Sequence, residues 1–134
     1  TIMDIALSKA RSKHVDRAIR AANSSTYGRF RHGAVLISGG SVINSGHNKP
    51  NYSSFAKRFR TAPGNATVHA EIDCIYNVPK TKLLGGTVYV VRIDAKSNLR
   101  MSKPCKMCKS VLKFCGISKI YYSDNDGNIM LEKL

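Results

Sequence analysis

Apolar residues recur at roughly helical spacing in the first part of the chain, between residues 4 and 22. Val15, Ala18, Ile19 and Ala22 stand among charged residues, which is the pattern of a helix with one buried face. The letters "NSS" follow directly and are typical of a helix end. The pattern therefore predicts a first helix that stops after Ala22.

Two short β-rich runs come next, "AVLIS" and "SVINSG", with a pair of glycines between them. Because glycines allow the tight turn that joins two antiparallel strands, these runs predict a β-hairpin. Residues 47–67 then show no period and contain Pro50, Pro63 and Gly64. They predict a long loop, and loops of this length in a compact domain are usually functional.

The second half of the chain alternates between helical and strand patterns. A helix is predicted over about 68–77, ending before Pro79. "TVYVVRI", residues 87–93, is continuously apolar and predicts a central strand covered on both faces. A third helix is expected from Pro104, as its first helical position, to Cys115.

"KIYYS", residues 119–123, predicts another strand, and "IMLEKL" at the end has no clear type. The order of helix, hairpin, helix, strand, helix, strand favours an α/β sandwich in which helices cover a mixed sheet. With 134 residues and 43% apolar content, residues 1–134 are expected to form a single domain. No apolar run reaches the roughly 20 residues that cross a bilayer, so we expect a soluble intracellular protein of the cytoplasm or nucleus with no membrane partner.

The net charge of the chain is unusual for a domain of this size. The chain has 22 Lys and Arg against 8 Asp and Glu, a formal net charge of +14. Residues 96–113 include six basic residues and no acidic one. Such an excess indicates a polyanionic partner. The alternative is a proteome with a general basic bias.

The cysteines indicate metal chemistry. Cys105 and Cys108 in "PCKMC" are three positions apart, so at the start of a helix both side chains can reach one ion. The helix N-terminus favours the thiolates that a metal needs. His69 supplies a third ligand, and a His/Cys/Cys set leaves the fourth tetrahedral position of zinc open, as in catalytic sites.

Glu71 lies two positions after His69 in "HAE". From there its carboxylate can move the protons of a hydrolytic water, and H-x-E with P-C-x-x-C is the signature of zinc nucleobase deaminases. Two other interpretations stay open. One is a structural zinc site with a fourth ligand from Cys74, Cys115, His32 or His47, and the other is a thioredoxin-like redox pair. We expect Cys74 and Cys115 to be core residues.

Two loop segments mix aromatic rings with basic residues, "YGRFRH" at 27–32 and "NYSSFAKRFR" at 51–60. This combination stacks unpaired bases and neutralises phosphates. The alternative is a pair of solvated loops whose rings pack on the domain surface. The candidate substrate-binding residues in these loops are Arg29, Phe30, His32, Tyr52, Phe55, Arg58 and Arg60.

Through these motifs the chain resembles the cytidine deaminase superfamily, in the branch of deoxycytidylate deaminases and tRNA adenosine deaminases. The likeness runs from "HGAVLI" and "GHN" through "HAEI" to "PCKMC" and "KIYYS". It implies a three-layer α/β/α sandwich around a mixed five-stranded sheet, one catalytic zinc ion and hydrolytic deamination. It also implies that Asn48 and the backbone N–H of Ala70 bind the substrate, and it admits a homo-oligomer.

One segment departs from the family pattern, in which the strand passes into "PC" after a residue or two. Here "DAKSNLRMSK" intervenes before Pro104, which leaves the groups just before that proline unassigned. For the substrate, the charge and the two aromatic and basic loops favour a base within single-stranded DNA or RNA, and we expect this base to be cytosine rather than adenine. The alternatives are a nucleotide-pool deoxycytidylate or cytidine deaminase, an adenosine deaminase acting on tRNA, and a zinc module that binds nucleic acid without catalysis.

Overall fold

A computed structural model describes residues 11–25, 30–49 and 69–134. The helices in these ranges are α1 (Ser12–Asn23), α2 (Ala70–Ile75), α3 (Lys80–Leu83) and α4 (Lys106–Phe114). The strands are β1 (Arg31–Ser38), β2 (Ser41–His47), β3 (Thr87–Ile93), β4 (Leu99–Arg100), β5 (Lys119–Ser123) and β6 (Ile129–Lys133). No helix of these ranges is both long enough and apolar enough to span a membrane.

The strands form one mixed sheet in the order β2-β1-β3-β5-β6. β3 and β5 are parallel, and the other neighbours along this order are antiparallel. The short β4 pairs with β3 at Arg92 and Ile93, beyond the point where the pairing with β5 ends at Val90. The predicted hairpin and the mixed five-stranded sheet are confirmed, and β4 is an additional strand that the sequence pattern did not reveal.

Helices cover both faces of the sheet. On one face Ala34, Leu36, Val88 and Val90 pack against apolar residues of α2 and α4. On the other face, which includes Val35, Ile37, Tyr89, Val91 and Ile93, α1 contributes Ala18 and Ala22. Because successive side chains of a strand point to opposite faces, β3 is buried on both sides, as its continuous apolar run predicts. The three-layer α/β/α sandwich is confirmed.

Gly33 sets how closely α1 packs against β1. A Cβ atom at this position would lie 2.0 Å from the carbonyl oxygen of Ala18 and 2.3 Å from the backbone nitrogen of Ala22. Only glycine leaves room for a helix backbone at this distance. The close approach places the end of α1 beside the start of β1, where the candidate site begins.

Several element boundaries differ from the sequence expectations. α2 spans Ala70–Ile75 rather than 68–77, and a further short helix, α3, follows Pro79. Pro104 is not the first helical residue, because the extended Cys105 is the N-cap of α4. The last residues form β6. Residues 4–10 of the predicted first helix and most of the 47–67 loop lie outside the described residues.

The segment between β3 and α4 folds back on itself as a hairpin, here named the 94–103 hairpin. The carboxylate of Asp94 accepts hydrogen bonds from the backbone N–H groups of Lys96 and Asn98, each at 2.9 Å. The guanidinium of Arg100 donates to the same carboxylate, also at 2.9 Å. Asp94 therefore closes the hairpin at its base.

The returning end of the 94–103 hairpin is attached to the sheet through Ser102. Its backbone N–H donates to the carbonyl of Ser123 at 2.9 Å, and its hydroxyl donates to the carbonyl of Val90 at 2.8 Å. Ser102 is buried. These bonds fix the position at which the chain enters the cysteine-bearing helix.

Candidate metal centre and active-site cavity

His69, Cys105 and Cys108 meet in one cluster. The Nδ1 atom of His69 lies 3.1 Å from the sulfur of Cys108 and 3.8 Å from that of Cys105. One potential ligand atom from each residue lies within 4.8 Å of the other two. The three residues that the sequence predicted as metal ligands are therefore brought together, although 36 positions separate His69 from Cys105.

Two helix starts position these side chains. His69 is the N-cap of α2 and Cys105 is the N-cap of α4, both with extended backbones. Cys108 is buried in the first turn of α4. Since the first N–H groups of a helix have no internal acceptor and carry partial positive charge, both helix ends favour anions at the cluster. The thiolate of Cys105, which is the form that a metal binds, is therefore favoured at the start of α4.

The pKa values of the two thiols and the imidazole are shifted in different directions. Hydrogen bonding to Cys108, with a further contribution from His69, lowers the pKa of the Cys105 thiol to about 4. The reciprocal bond to Cys105, together with burial, raises the pKa of Cys108 well above its usual value. Hydrogen bonding to Cys105 also raises the pKa of His69. A metal ion that binds here displaces the protons held by Cys108 and His69.

The donor set fits zinc. Tetrahedral zinc binds thiolate sulfur at about 2.3 Å and histidine nitrogen at about 2.0 Å, so neighbouring ligand atoms lie about 3.5 to 3.8 Å apart. The two nitrogen–sulfur distances are close to this range. In the described part of the chain no fourth His, Cys, Asp or Glu joins the cluster, which gives no support to a four-ligand structural site. Three ligands with one open position is the catalytic pattern.

The cysteines outside the cluster belong to the core. Cys74 has no exposed surface and Cys115 is 9% exposed, and both pack with the apolar residues of the α2–α4 face. The sequence expectation that these two are core residues is confirmed. Met107, on the buried side of α4, packs in the same cluster.

Glu71 lies beside the cluster in the first turn of α2 and is only 4% exposed. After the larger effect of hydrogen bonding to Cys105, the Glu71 carboxylate further raises the pKa of His69 and of Cys108. At His32 it only partly offsets the burial that lowers the pKa of that imidazole. A buried carboxylate next to a metal site and open to a cavity can move protons during a reaction.

A cavity of about 400 Å³ opens next to the cluster. Four predicted substrate-binding residues line it, together with the cluster residues His69 and Cys105 and with Glu71: Phe30, His32, Asn48 and Ala70. Sequence reasoning did not single out two further lining residues, Ser102 and Lys103. They belong to the 94–103 hairpin, and their position depends on a contact with β5 that no local pattern reveals. Arg29, Tyr52, Phe55, Arg58 and Arg60 lie outside the described residues.

Asn48 is held firmly at the cavity wall. Its side-chain oxygen accepts hydrogen bonds from the Ser25 hydroxyl and from the backbone N–H of His32. Its side-chain nitrogen donates to the carbonyl of Phe30 at 2.8 Å. Because an amide nitrogen carries two hydrogens, one N–H has no acceptor among the described residues. Ser25 is thus a supporting residue that the sequence did not indicate.

A second set of contacts fixes α2 on the hairpin. The carboxylate of Asp73 accepts hydrogen bonds from the backbone N–H of His47 at 3.1 Å and from the ammonium group of Lys49 at 3.0 Å. A Cβ atom at Gly46 would lie 2.6 Å from the backbone nitrogen of Cys74. The glycine of "GHN" therefore lets α2 approach β2, which brings His69 and Glu71 to the cavity.

Residues 8–124 match the family described as the cytidine and deoxycytidylate deaminase zinc-binding region. The chain belongs to this family. The fit of the His/Cys/Cys cluster to zinc agrees with the match, so the protein is a zinc-dependent hydrolytic deaminase. The resemblance noted from "HAE" and "PCKMC" is confirmed. Among curated proteins the sequence of this deaminase finds no significant match.

Solved structures share the fold of the deaminase. The apo dCMP deaminase of the cyanophage S-TIM5 aligns with a TM-score of 0.58 and 20% identity, over 85% of this chain and 82% of that chain. The same phage enzyme in complex with dCMP and dUMP gives 0.53 and 19%, over 87% and 85%. The cytidine deaminase of Mycobacterium leprae gives 0.57 and 18%, over 91% of each chain. At these identities the likeness concerns the fold.

Proposed function

We propose that this deaminase converts cytosine to uracil within single-stranded nucleic acid. The excess of cations carries the proposal, with 22 Lys and Arg against 8 Asp and Glu. Among the described residues, ion pairs engage only Lys49, Arg100 and Lys109. Most cations of this part therefore have no acidic partner and are available to attract phosphates.

The chemistry is divided between the metal and one carboxylate. His69, Cys105 and Cys108 would hold the zinc ion, which when bound supplies a Lewis acid that lowers the pKa of water to about 7. Glu71 accepts a proton from the attacking water and delivers it to the ring nitrogen next to C4, and then helps to protonate the leaving amino group. The water oxygen stays on C4 and ammonia departs, so cytosine becomes uracil.

The cavity residues recognise one nucleoside. The backbone N–H of Ala70, at the start of α2, has no acceptor within the helix and binds the base. The second side-chain N–H of Asn48, which has no acceptor in the described ranges, binds the base or the sugar. Burial lowers the pKa of His32, so its neutral imidazole adds no charge repulsion toward the zinc site. Phe30, 47% exposed at the cavity rim, offers a ring for stacking.

Cations around the cavity bind the phosphates of the strand. Lys103 is exposed and lines the cavity, so its ammonium group contacts the phosphate nearest the reacting nucleotide. We expect Arg58 and Arg60 to contact further phosphates along the strand, and Tyr52 and Phe55 to stack on its bases.

A free mononucleotide is the second candidate substrate, and the size of the cavity favours it. About 400 Å³ falls in the lower part of the range for small-molecule sites. Lys103 provides one cation at the wall, enough for a single phosphate. The phage dCMP deaminase that shares the fold was solved with dCMP and dUMP, which is consistent with a nucleotide substrate here.

A competition reaction distinguishes these candidates. Zinc-loaded protein is incubated with deoxycytidylate, cytidine and a mixed-sequence single-stranded oligonucleotide, and mass spectrometry follows the replacement of amino by oxo groups. We expect the oligonucleotide to be converted at cytosine. Conversion of the free nucleotide alone would overturn the proposal in favour of a nucleotide-pool enzyme, and conversion at adenine would overturn the choice of base.

A pair of double variants then tests the role of the loop cations. Arg58→Gln with Arg60→Gln should reduce turnover of the oligonucleotide far more than turnover of deoxycytidylate. Lys80→Gln with Lys82→Gln, on the exposed surface of α3, removes the same charge and should leave both rates nearly unchanged. Binding of the oligonucleotide without any conversion by zinc-loaded protein would instead indicate a non-catalytic module.

A further inference from the structure

A second cleft, of about 360 Å³, lies between α1 and the turn of the β1–β2 hairpin. This cleft is here named the α1 cleft. Its lining consists of Lys13, His14, Arg17 and Arg20 from the helix, Gly40 from the turn, and Ser41 and Val42 at the start of β2. None of them lines the deamination cavity. The α1 cleft is thus a separate feature of the deaminase.

The charge of the α1 cleft is uniformly positive. Lys13, Arg17 and Arg20 are exposed and, with spacings of four and three, lie on one side of α1. No acidic residue lines the cleft. Across the described ranges, none of these three cations forms an ion pair. Three unpaired cations around one concavity attract an anion more strongly than cations scattered over a surface.

His14 adds a buried polar ring to the same cleft. It is 3% exposed and its ring lies 5.2 Å from that of Tyr89. Its Nδ1 atom has no hydrogen-bond partner within the part of the chain that the structure describes, which is costly for a buried polar atom. Burial, with the charges of Lys13 and Arg11, lowers the pKa of His14. An anion in the cleft would oppose the part of this pKa shift that comes from the charges of Lys13 and Arg11.

The hairpin turn supplies uncharged donors. Gly39 and Gly40 have φ values of +58° and +79°, and Ser38 pairs with Ser41 across them, as in a two-residue hairpin turn. In the described structure no backbone hydrogen bond uses the N–H of Gly39 or Gly40. Ser41 is exposed and contributes a hydroxyl. Backbone N–H and serine hydroxyl groups are common partners of phosphate oxygens.

The α1 cleft is too far from the zinc site to hold a phosphate of the reacting nucleotide. His32 lines the deamination cavity near the start of β1, and Ser38 ends that strand beside the turn. Six residues of strand cover about 20 Å. In addition, α1 lies on the face of the sheet opposite α2 and α4. A ligand that reaches both places must be a chain of several nucleotides.

We propose that the α1 cleft binds backbone phosphate of single-stranded nucleic acid. Lys13, Arg17 and Arg20 neutralise the phosphate, and the turn at Gly40 and Ser41 donates hydrogen bonds to it. This site goes beyond the proposed deamination reaction, because it holds a strand whether or not that strand contains a base to be converted.

An oligothymidylate of about 15 nucleotides tests the site apart from catalysis, since it offers neither cytosine nor adenine. Its binding to the zinc-loaded protein is measured by fluorescence anisotropy between about 50 and 300 mM salt. Arg17→Gln with Arg20→Gln should weaken binding about tenfold or more at the lowest salt concentration and reduce the salt slope by about 0.7, the value for one phosphate contact in a single strand. Lys80→Gln with Lys82→Gln is the charge-matched control and should change the affinity less than about threefold.

The other outcomes overturn the proposal. Equal losses in the two double variants would indicate diffuse attraction by net charge, and unchanged binding in both would place the strand elsewhere. Thymidine monophosphate and inorganic phosphate identify the source of the anion. If either bound as tightly as the oligothymidylate and shifted the NMR signals of the His14 ring, the cleft would be a site for free phosphate compounds. Deamination of deoxycytidylate should be unaffected by the cleft variant, so its loss would indicate misfolding.

Discussion

At the scale of single residues, Glu71 is the group on which the proposed chemistry depends. It is buried beside His69 and Cys108 but is not among the three potential metal ligands. The proposed chemistry therefore assigns its carboxylate a task other than coordination. We expect Glu71→Gln to lower turnover by at least about 100-fold, as for the loss of a general acid and base, while the protein keeps one zinc ion.

Zinc content by mass spectrometry or atomic absorption, measured beside the rate, checks this separation. Cys108→Ser is the matched comparison, because it should lose both metal and turnover. If the Glu71 variant also lost its zinc, the residue would be a ligand or a support for the ligands. If it kept its rate, another group would move the protons.

Asp94 offers a prediction about pH. The hydrogen bond from the backbone N–H of Asn98, with those from Arg100 and Lys96, lowers the pKa of its carboxyl from 3.8 to about 2. The fold thus favours the charged form, so the stabilisation is complete above about pH 4 and is lost as pH falls from 4 to 2. Asp94→Asn should lower the melting temperature at neutral pH, and the difference from the unaltered protein should shrink over that interval.

Melting curves at closely spaced pH values test this dependence. A difference that stayed constant down to pH 2 would show that the charge of Asp94 does not stabilise the 94–103 hairpin.

Single residues with a chemical signature could be recognised from the sequence, whereas their supports could not. His69, Glu71, Cys105 and Cys108 occupy short motifs whose spacing already implies a shared site. Ser25 and Ser102 act through hydrogen bonds to Asn48 and Ser123, 23 and 21 positions away. No local sequence pattern around a serine indicates a hydrogen-bond partner so far away in the chain. The Lys103 position in the cavity wall follows from the same distant contact.

At the scale of elements, Gly33 has the least room for a side chain of any glycine in the described structure, at the contact between α1 and β1. A methyl group there would overlap the backbone of Ala18 and Ala22, and backbone atoms cannot rotate away as a side chain can. We expect Gly33→Ala to reduce the free energy of unfolding by about 3 kcal/mol or more. Urea denaturation measures the effect, with Ser45→Ala on the exposed surface of β2 as the control.

Hydrogen exchange can also show which part of the Gly33 variant is destabilised. Because α1 and the zinc helices lie on opposite faces, a folded Gly33 variant should still bind zinc, but its α1 should exchange amide hydrogens faster. Normal stability of the Gly33 variant would mean that α1 can move away from the sheet at little cost.

Long elements were more predictable than short ones. The hairpin, α4 and β5 combine a recognisable pattern with glycine or proline boundaries, and β3 is a continuous apolar run that follows two glycines. β4 has two residues and α3 has four, so neither contains enough positions to show a period. The predicted start of α4 at Pro104 is two residues early. Proline is compatible with a helix start, but the extended Cys105 is the actual N-cap and the helix begins at Lys106.

At the scale of the whole molecule, the zinc site joins parts of the chain that only folding brings together. α2 has six residues, too few for a stable helix in isolation, so the complete ligand set exists only in the folded state. Zinc should therefore stabilise the protein, by about 2.7 kcal/mol when free zinc is 100 times its Kd. Thermal melting with added zinc and with a chelator measures this difference.

Cys108→Ser serves as the reference for this comparison, because it lacks a ligand and should melt at the same temperature in both conditions. If the chelator removed the zinc from the unaltered protein without changing its melting temperature, the cluster would form without stabilisation by the metal.

The 94–103 hairpin has a consequence for how this deaminase can change. Ser102 attaches the returning end of this hairpin to Val90 and Ser123 of the sheet, so the number of residues in its tip does not set the position of the cysteine helix. Residues 95–98 at that tip are exposed. Insertions there can lengthen the protein without rebuilding its chemistry. Ser102 and Lys103 lead from this tip into the cavity wall. The tip is therefore a position that tolerates an added recognition loop within a few residues of the substrate, in evolution or in protein engineering.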